Sequence, residues 1–523
     1  MPRLSPQAAA ACVPAEVVED HDVYPAPRMI RMAIDGALVV VAVAAILVWL
    51  VLALLHLGDR YKVGHVQGHW MALAQYANHG VLYPPLSDGQ NFGGTRHLPL
   101  AILVNAAAAR LTNDYLRSGK LVAVVLFALL LGLLMLILRQ ARCPWPVSLG
   151  IAGLLPATKT GMLVGSAPGG DVLPLILQLG ALVLLGDRIR CGQGGWMVAA
   201  GVLAGLACVS KLTAFWVALA AFTWFGARRQ WIPLAKFAVP WICTAVAAVV
   251  LANWASEGRM LSTLRIVTFA GTRGPMEWLR APSQIGFFGL ADAASIWLVA
   301  PFAIAGALTA WCSSTATVHH HALGWSLLIA CVVFTDVGAG LNQLLDPAVL
   351  TLVTVGLVGR RLHHDRRHLL TLGTTMTIAI VWAGLTGLRG FVPDLKEVVA
   401  AARTGMVPAK YDPLPLAGIV RADESLLAED PTVPVLLGRT PVVLDAFMLR
   451  RISEVNPRTA EGLANRIRRG EFHHVALMVP LQDEEDWWRT YHFGPLIVGA
   501  LRESYVFAGQ VDGYYLYRPV GRR

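Results

Sequence analysis

GDRYKVGHVQGHWMALAQYANHGVLYPPLSDGQNFGGTRHLP, residues 58–99, follows directly on residues 36–57, an apolar stretch with no Asp, Glu, Lys or Arg. That stretch is long enough to cross a bilayer as a helix. The segment after it is polar, glycine-rich and charged, so it leaves the hydrocarbon. Within it, HVQGHWMALAQYANH (65–79) sets Val66, Trp70, Leu73 and Ala77 on one helical face, with Gln67, Gln75 and His79 elsewhere. YPPLSDGQNFGG is turn chemistry: Pro-Pro, Asp-Gly and Gly-Gly. LPLAILVNAAAARL (98–111) is apolar enough to lie in the headgroup layer. A loop this long, carrying two surface helices, exceeds what a simple bundle needs as a connection. It points to chemistry at the membrane face on a lipid-borne substrate.

Working outward, the chain has 523 residues, of which 56% are hydrophobic and only 15% charged. A soluble domain has about a quarter of its residues charged. The apolar excess lies before about residue 389. Candidate spans are 33–57, 120–138, 146–165, 172–187, 195–210, 212–226, 234–254, 290–311, 322–338, 347–358 and 369–388. The expected fold is therefore mostly α: a polytopic transmembrane bundle of about eleven spans with a C-terminal soluble α/β domain.

The net charge of +10 is not a nucleic-acid signature, because the basic residues cluster in short loops between apolar runs. Arg139 with Arg142, Arg188 with Arg190, Arg228 with Arg229, and GRRLHHDRRH (359–368) fit cytoplasmic loops, and VHHHA (318–322) falls in another. An odd number of crossings then divides the chain into a cytoplasmic segment 1–32, a transmembrane region 33–388 and an extracytoplasmic domain 389–523. The first apolar run is too long for a cleaved signal and lacks a small-residue cleavage site. None of the seven cysteines lies after Cys331, so the tail has no disulfide. In the tail, 433–437, 441–447, 473–480 and 513–519 read as strands, and 459–470 and 483–491 as helices.

MALAQYANHGVLYPP (71–85), GGTRHLPL (93–100), GGDVLPLILQLGALVLL (169–185), GVLAGLACVSKLTA (201–214), GLNQLLDPAVLTL (340–352) and LLAEDPTVPVLLGRTPVVLDAFML (426–449) together resemble the GT-C class of polytopic membrane glycosyltransferases. The similarity is to bacterial members that transfer mannose, arabinose or aminoarabinose. It implies an inverting transfer of a sugar from a polyprenyl-phosphate donor to an envelope glycan, lipid or protein acceptor, on the outer face of the plasma membrane. It implies no fixed cofactor: some members use a divalent metal and others do not. The chain departs from the class where an acid usually precedes the Ala-Leu-Ala motif; here residues 65–70 read HVQGHW, and the nearest upstream acid is Asp59. A polytopic transporter and a non-catalytic envelope-assembly protein are the alternatives, although no internal repeat supports a transporter.

Such chemistry needs a carboxylate to take the acceptor's proton and cationic groups to hold the departing phosphate. Asp59 and Asp171 are the candidate catalytic acids. Asp59, with Arg60 and Lys62, could instead be an interfacial anchor. Asp171 opens an apolar helix and could be its N-cap or a metal ligand. Arg60, Arg96, His97 and Lys211 are candidate phosphate contacts. Lys211 could also snorkel to the headgroups, and Arg96 could anchor its loop. Asn342 and Asp346 could contact sugar hydroxyls or cap the following helix. Asp88 reads as a turn residue. His65 and His69 have the i, i+4 spacing of a metal pair, but without a third ligand. Trp487 and Trp488 suit either sugar stacking or tail core.

Overall fold

The computed structural model describes residues 28–88, 91–186, 194–269, 275–292, 294–336, 338–364, 373–404, 414–482 and 487–521. Arg188, Arg190, the last part of the basic stretch 359–368 and the first half of the expected helix 483–491 lie outside them.

The first apolar run folds as α1 (Arg28–Leu55). Leu38, Ala42, Ala45, Trp49 and Leu52 are buried, while Val40, Leu47, Val51 and Leu54 are exposed. One apolar face packs on the bundle and the other suits hydrocarbon. The polar segment supplies α2 (His65–Asn78) and α3 (Pro99–Thr112), close to the two surface helices expected. The Gly64 N–H donates to Gln67 Oε1 at the start of α2, and Pro99 opens α3, where its missing N–H costs nothing. Between them the Asn91 N–H donates to Asp88 Oδ1 at 2.6 Å, the turn role expected of Asp88.

The bundle continues through α4 (Tyr115–Gln140), α5 (Trp145–Leu154), α6 (Lys159–Ser166), α7 (Val172–Gly186), α8 (Gly194–Cys208), α9 (Trp216–Ala227), α10 (Trp231–Ala255), α11 (Arg259–Phe269), α12 (Pro275–Asp292), α13 (Ala294–Cys312), α14 (Val318–Val333), α15 (Leu345–His364), α16 (Thr374–Arg389) and α17 (Val392–Thr404). Among the described residues, α1, α4, α10 and the stretch Leu341–Arg360 are long and apolar enough to cross a membrane. The pairs α5–α6 and α16–α17, bent by 80° and 43°, raise that to six if each is one span. The eleven expected spans are thus four to six by this measure, with α3, α7, α8, α9, α13 and α14 as shorter apolar helices. The expected span 146–165 breaks because Thr158 starts a new helix, its hydroxyl accepting the Gly161 N–H at 2.7 Å. The histidines of 318–322 are not a loop: Thr317 and His320 form the cap that opens α14. Residues 255–289, between the expected spans 234–254 and 290–311, contain α11 and much of α12.

The tail runs α18 (Leu414–Ala417), β1 (Leu426–Ala428), α19 (Thr432–Leu436), α20 (Ala446–Val455), α21 (Arg458–Arg468), β2 (His474–Leu477), a π turn at Trp487–Tyr491, α22 (Pro495–Ser504), β3 (Tyr505–Val511) and β4 (Tyr514–Pro519). The sheet order is β1-β2-β4-β3, with β1 parallel to β2 and the other pairs antiparallel. The strands expected at 473–480 and 513–519 are β2 and β4, and the helix expected at 459–470 is α21. The run 433–437 is not a strand but α19: Asp430 Oδ1 accepts the Thr432 N–H at 2.8 Å and turns the chain into a helix after Pro431. A short buried apolar run has no period that separates the two. Residues 441–447 form no strand either; Phe92 of the loop exchanges backbone bonds with Val442 and Leu444 at 2.9 and 2.8 Å.

That pairing is one of several ties between tail and loop. Arg60 forms an ion pair with Asp512 and lies 5.0 Å over the Tyr514 ring. The Tyr76 hydroxyl donates to Pro441 O at 3.1 Å. Gly68 of α2 sits so close to Thr432 and Asp430 that a Cβ there would overlap them. The Trp487 indole and Met478 N–H donate to Glu429 at 2.8 and 2.7 Å, and His492 Nδ1 lies 2.6 Å from the same carboxylate. The His492 ring meets His65 of α2 edge-on at 4.6 Å.

Candidate active site

Asp171 stands at the head of α7, after Gly169 and Gly170. Any Cβ on Gly170 would overlap the Trp70 ring of α2, so glycine lets the loop helix settle beside Asp171. The carboxylate is held from two sides. Lys211 Nζ lies 2.8 Å from Oδ1, and the Asn342 amide donates to Oδ2 at 2.9 Å. Both oxygens are thereby engaged by side chains rather than by the N-terminal N–H groups of α7. Lys211 comes from the turn between α8 and α9, and Asn342 from the single 3₁₀ turn (Leu341–Leu344) before α15. Three segments far apart in sequence therefore converge on one carboxylate.

Burial opposes the Lys211 ammonium, but Asp171 and Asp346 hold its pKa above the ordinary value. Asp346, in the first turn of α15, is the second carboxylate near enough for Lys211 to feel its charge. Arg96 approaches the same lysine from the loop and pairs with Asp336 at 3.2 Å. His97 lies beside it, 4.0 Å from the Trp70 ring and 4.8 Å from that of His69. Burial, then the neighbouring His69 and Arg96 charges, push the His97 pKa well below the usual imidazole range. Lys211, Arg96, His97, Asn342, Asp346 and Asp171 thus form one neighbourhood.

Asp59 and Arg60 make other contacts. Asp59 Oδ2 lies 2.5 Å from His56 Nδ1, Oδ1 accepts the Tyr61 N–H at 2.9 Å, and Lys120 Nζ is 3.5 Å away. Lys120 also donates to the His56 and Tyr61 carbonyls at 2.6 and 3.0 Å. This is a buried knot that ties the end of α1 to α4, and Asp171 takes no part in it. Arg60 faces the tail, as described above. The i, i+4 histidines diverge: His65 meets His492, while His69 Nε2 lies 3.1 Å from Thr95 Oγ1. Among the described residues no group of three or more His, Cys, Asp or Glu gathers as metal ligands. Trp488 is buried in the tail core, and Trp487 is bound to Glu429.

Two acids near the site were not foreseen. Asp336 lies in a turn after α14. Asp445 caps α20, accepting the Met448 N–H at 3.0 Å, and lies 3.4 Å from His69 Nδ1. An Asp before an apolar helical stretch is a readable N-cap signal, but no local signal places it against His69. The tail thus brings a carboxylate to α2, whose own residues 65–70 contain none. Burial opposes ionisation of Asp445, yet the His69 hydrogen bond and charge, the Met448 N–H and Arg96 hold its pKa below the carboxylate range. Its stabilising contribution is therefore complete above the unfolded value near pH 4 and is lost only as pH falls through the lower folded value. The destabilisation caused by Asp445→Asn, read as a melting shift of the full chain, should not shrink between pH 8 and pH 5. A penalty fading over that range would contradict this assignment.

The backbone is similar to that of ArnT from Cupriavidus metallidurans bound to undecaprenyl phosphate, with a TM-score of 0.57 and 12% identity over 93% of this chain and 98% of that one. The apo state of the same protein gives 0.56 at 12% identity over the same shares. The apo oligosaccharyltransferase of Archaeoglobus fulgidus gives 0.52 at 11% identity, over 93% of this chain and 74% of that one. No protein-family model and no curated protein matches. At such identities the likeness is one of fold, and it is at that level that the resemblance expected from the sequence is met.

Proposed function

We propose that the chain is a membrane glycosyltransferase that moves a sugar from a polyprenyl-phosphate donor to an envelope glycan, lipid or protein acceptor. The observation that carries this reading is the convergence of Lys211 and Asn342 on Asp171, with Arg96 and Asp346 adjacent, in a fold shared with a protein solved bound to undecaprenyl phosphate. In this reading the transfer is a single inverting displacement. Asp171 accepts the acceptor's hydroxyl proton as that oxygen bonds to the anomeric carbon. The carbon–oxygen bond to phosphate breaks on the opposite face, and Arg96 and Lys211 receive the phosphate charge. Lys211 is ready for that role, since its bond to Asp171 weakens once the carboxylate is protonated. Asn342 holds Asp171 in place, Asp346 keeps Lys211 charged, and neutral His97 lines the approach. The contacts of Asp59 and Arg60 favour positioning roles, fixing the loop against α4 and the tail.

The assay is release of free polyprenyl phosphate by the purified chain in liposomes. The donors are polyprenyl-phosphate mannose, arabinose and aminoarabinose, with an envelope extract as acceptor. Turnover of one donor is the expected result; no turnover of any, alongside measurable transport of a solute, would favour the permease.

The reading also puts residues 389–523 outside the cell and 1–32 in the cytoplasm, with the transmembrane region between. Gln510 is exposed on the tail sheet. In a chain whose native cysteines are replaced, Gln510→Cys should react with an impermeant thiol reagent on intact cells. Labelling only after lysis would overturn this orientation.

A further inference from the structure

Between the loop and the tail lies a small, partly open hollow. Arg96, Asp336, Thr335 and Thr268 face it, and α20 contributes Phe447, Met448 and Arg451. The two arginines are placed differently. Arg96 is paired with Asp336. Arg451 has no carboxylate partner among the described residues, and its guanidinium lies 5.9 Å from the Phe447 ring centroid. Its neighbour Arg450 takes the local acid, Glu454. A half-buried guanidinium without a counter-ion, across a hollow from a second one, is electrostatically incomplete, and an oxyanion completes it through charge-assisted, forked hydrogen bonds.

We propose that this hollow seats an anionic group of the acceptor, a phosphate or a carboxylate, held between Arg96 and Arg451, so that the tail supplies part of the binding site. The proposal rests on the transferase reading and adds the acceptor's charge class to it. The acceptor is favoured over the donor because the hollow is built from loop, α11, the turn after α14 and tail, with mostly polar walls. A polyprenyl chain needs an apolar groove, and no membrane-spanning helix lines this hollow. Arg96 is shared: it borders the hollow and also lies near Lys211, which puts an acceptor docked here next to Asp171.

The test uses the full chain in detergent, saturated with undecaprenyl phosphate so that the donor's phosphate subsite is filled, and then titrated with inorganic phosphate as the probe. Wild type should show a saturable second binding event. Arg451→Gln should weaken it at least tenfold and leave undecaprenyl phosphate affinity within twofold, while Arg451→Lys should keep part of it. A melting curve of each variant separates lost binding from lost folding. Absence of the second event in wild type, or its persistence in a folded Arg451→Gln chain, overturns the site. Weakened undecaprenyl phosphate binding in Arg451→Gln would assign the hollow to the donor and overturn the acceptor assignment. None of these outcomes depends on turnover, so they stand apart from the fate of the transferase reading.

Discussion

Asp171→Asn is expected to lower sugar transfer about 10²–10⁴-fold, the usual range for removing a general base. The loss should fall on kcat. The amide keeps the shape and can still contact Asn342, but it cannot take a proton. Donor affinity should not weaken, because Lys211 is freed from its partner at 2.8 Å and turns wholly to phosphate. Asp59→Asn supplies the contrast. Its carboxylate lies against His56 and buried Lys120, so its replacement should cost about 3 kcal/mol of stability through an uncompensated buried charge. Once folded, that variant should retain most of its kcat. Initial rates and melting curves of the two variants separate the roles. Equal losses of kcat with unchanged melting would restore Asp59 as a second catalytic acid.

The second large effect lies in the tail. Glu429 is fully buried and meets the Trp487 indole, the Met478 N–H and His492 Nδ1. Glu429→Ala removes the hub and leaves these polar groups without it in a dry interior, at a cost of about 3–5 kcal/mol. Because His492 packs against His65 of α2, the loss should spread to the loop. Limited trypsin digestion of the full chain should then cut both the tail and the 58–98 loop faster than in wild type. Unchanged cleavage would show that tail and loop are not held together through this hub.

Local physics made part of this legible. The two loop helices were legible because an amphipathic stretch (65–79) and an apolar one (98–111) flank a turn-rich interval. Lys211 declared its turn, since a charge in mid-bilayer is costly. Asp171 stood out at the head of an apolar helix. The partnerships were not legible. Asp171 with Asn342, Arg96 with Asp336, and His69 with Asp445 join residues 171, 240 and more than 300 positions apart, and no periodicity encodes such pairings. Asp59 also read as a candidate acid, beside Arg60 and Lys62, yet its environment is a buried knot. Hydropathy sees apolar runs but not their breaks: Thr158 caps a new helix inside the run expected at 146–165. The run 433–437 misled for the reason that it is apolar and short; the turn that Asp430 closes onto the Thr432 N–H lies just outside it.

The central claim is that a phosphate-borne sugar reacts at Asp171. A structure of the chain with a non-transferable polyprenyl-phosphate sugar analogue tests it most directly. The account predicts the phosphate between Arg96 and Lys211, with the anomeric carbon placed so that an acceptor oxygen about 3–3.5 Å from it can also reach Asp171. A phosphate bound elsewhere, with Asp171 still locked to Lys211 and Asn342 and remote from the sugar, would contradict it.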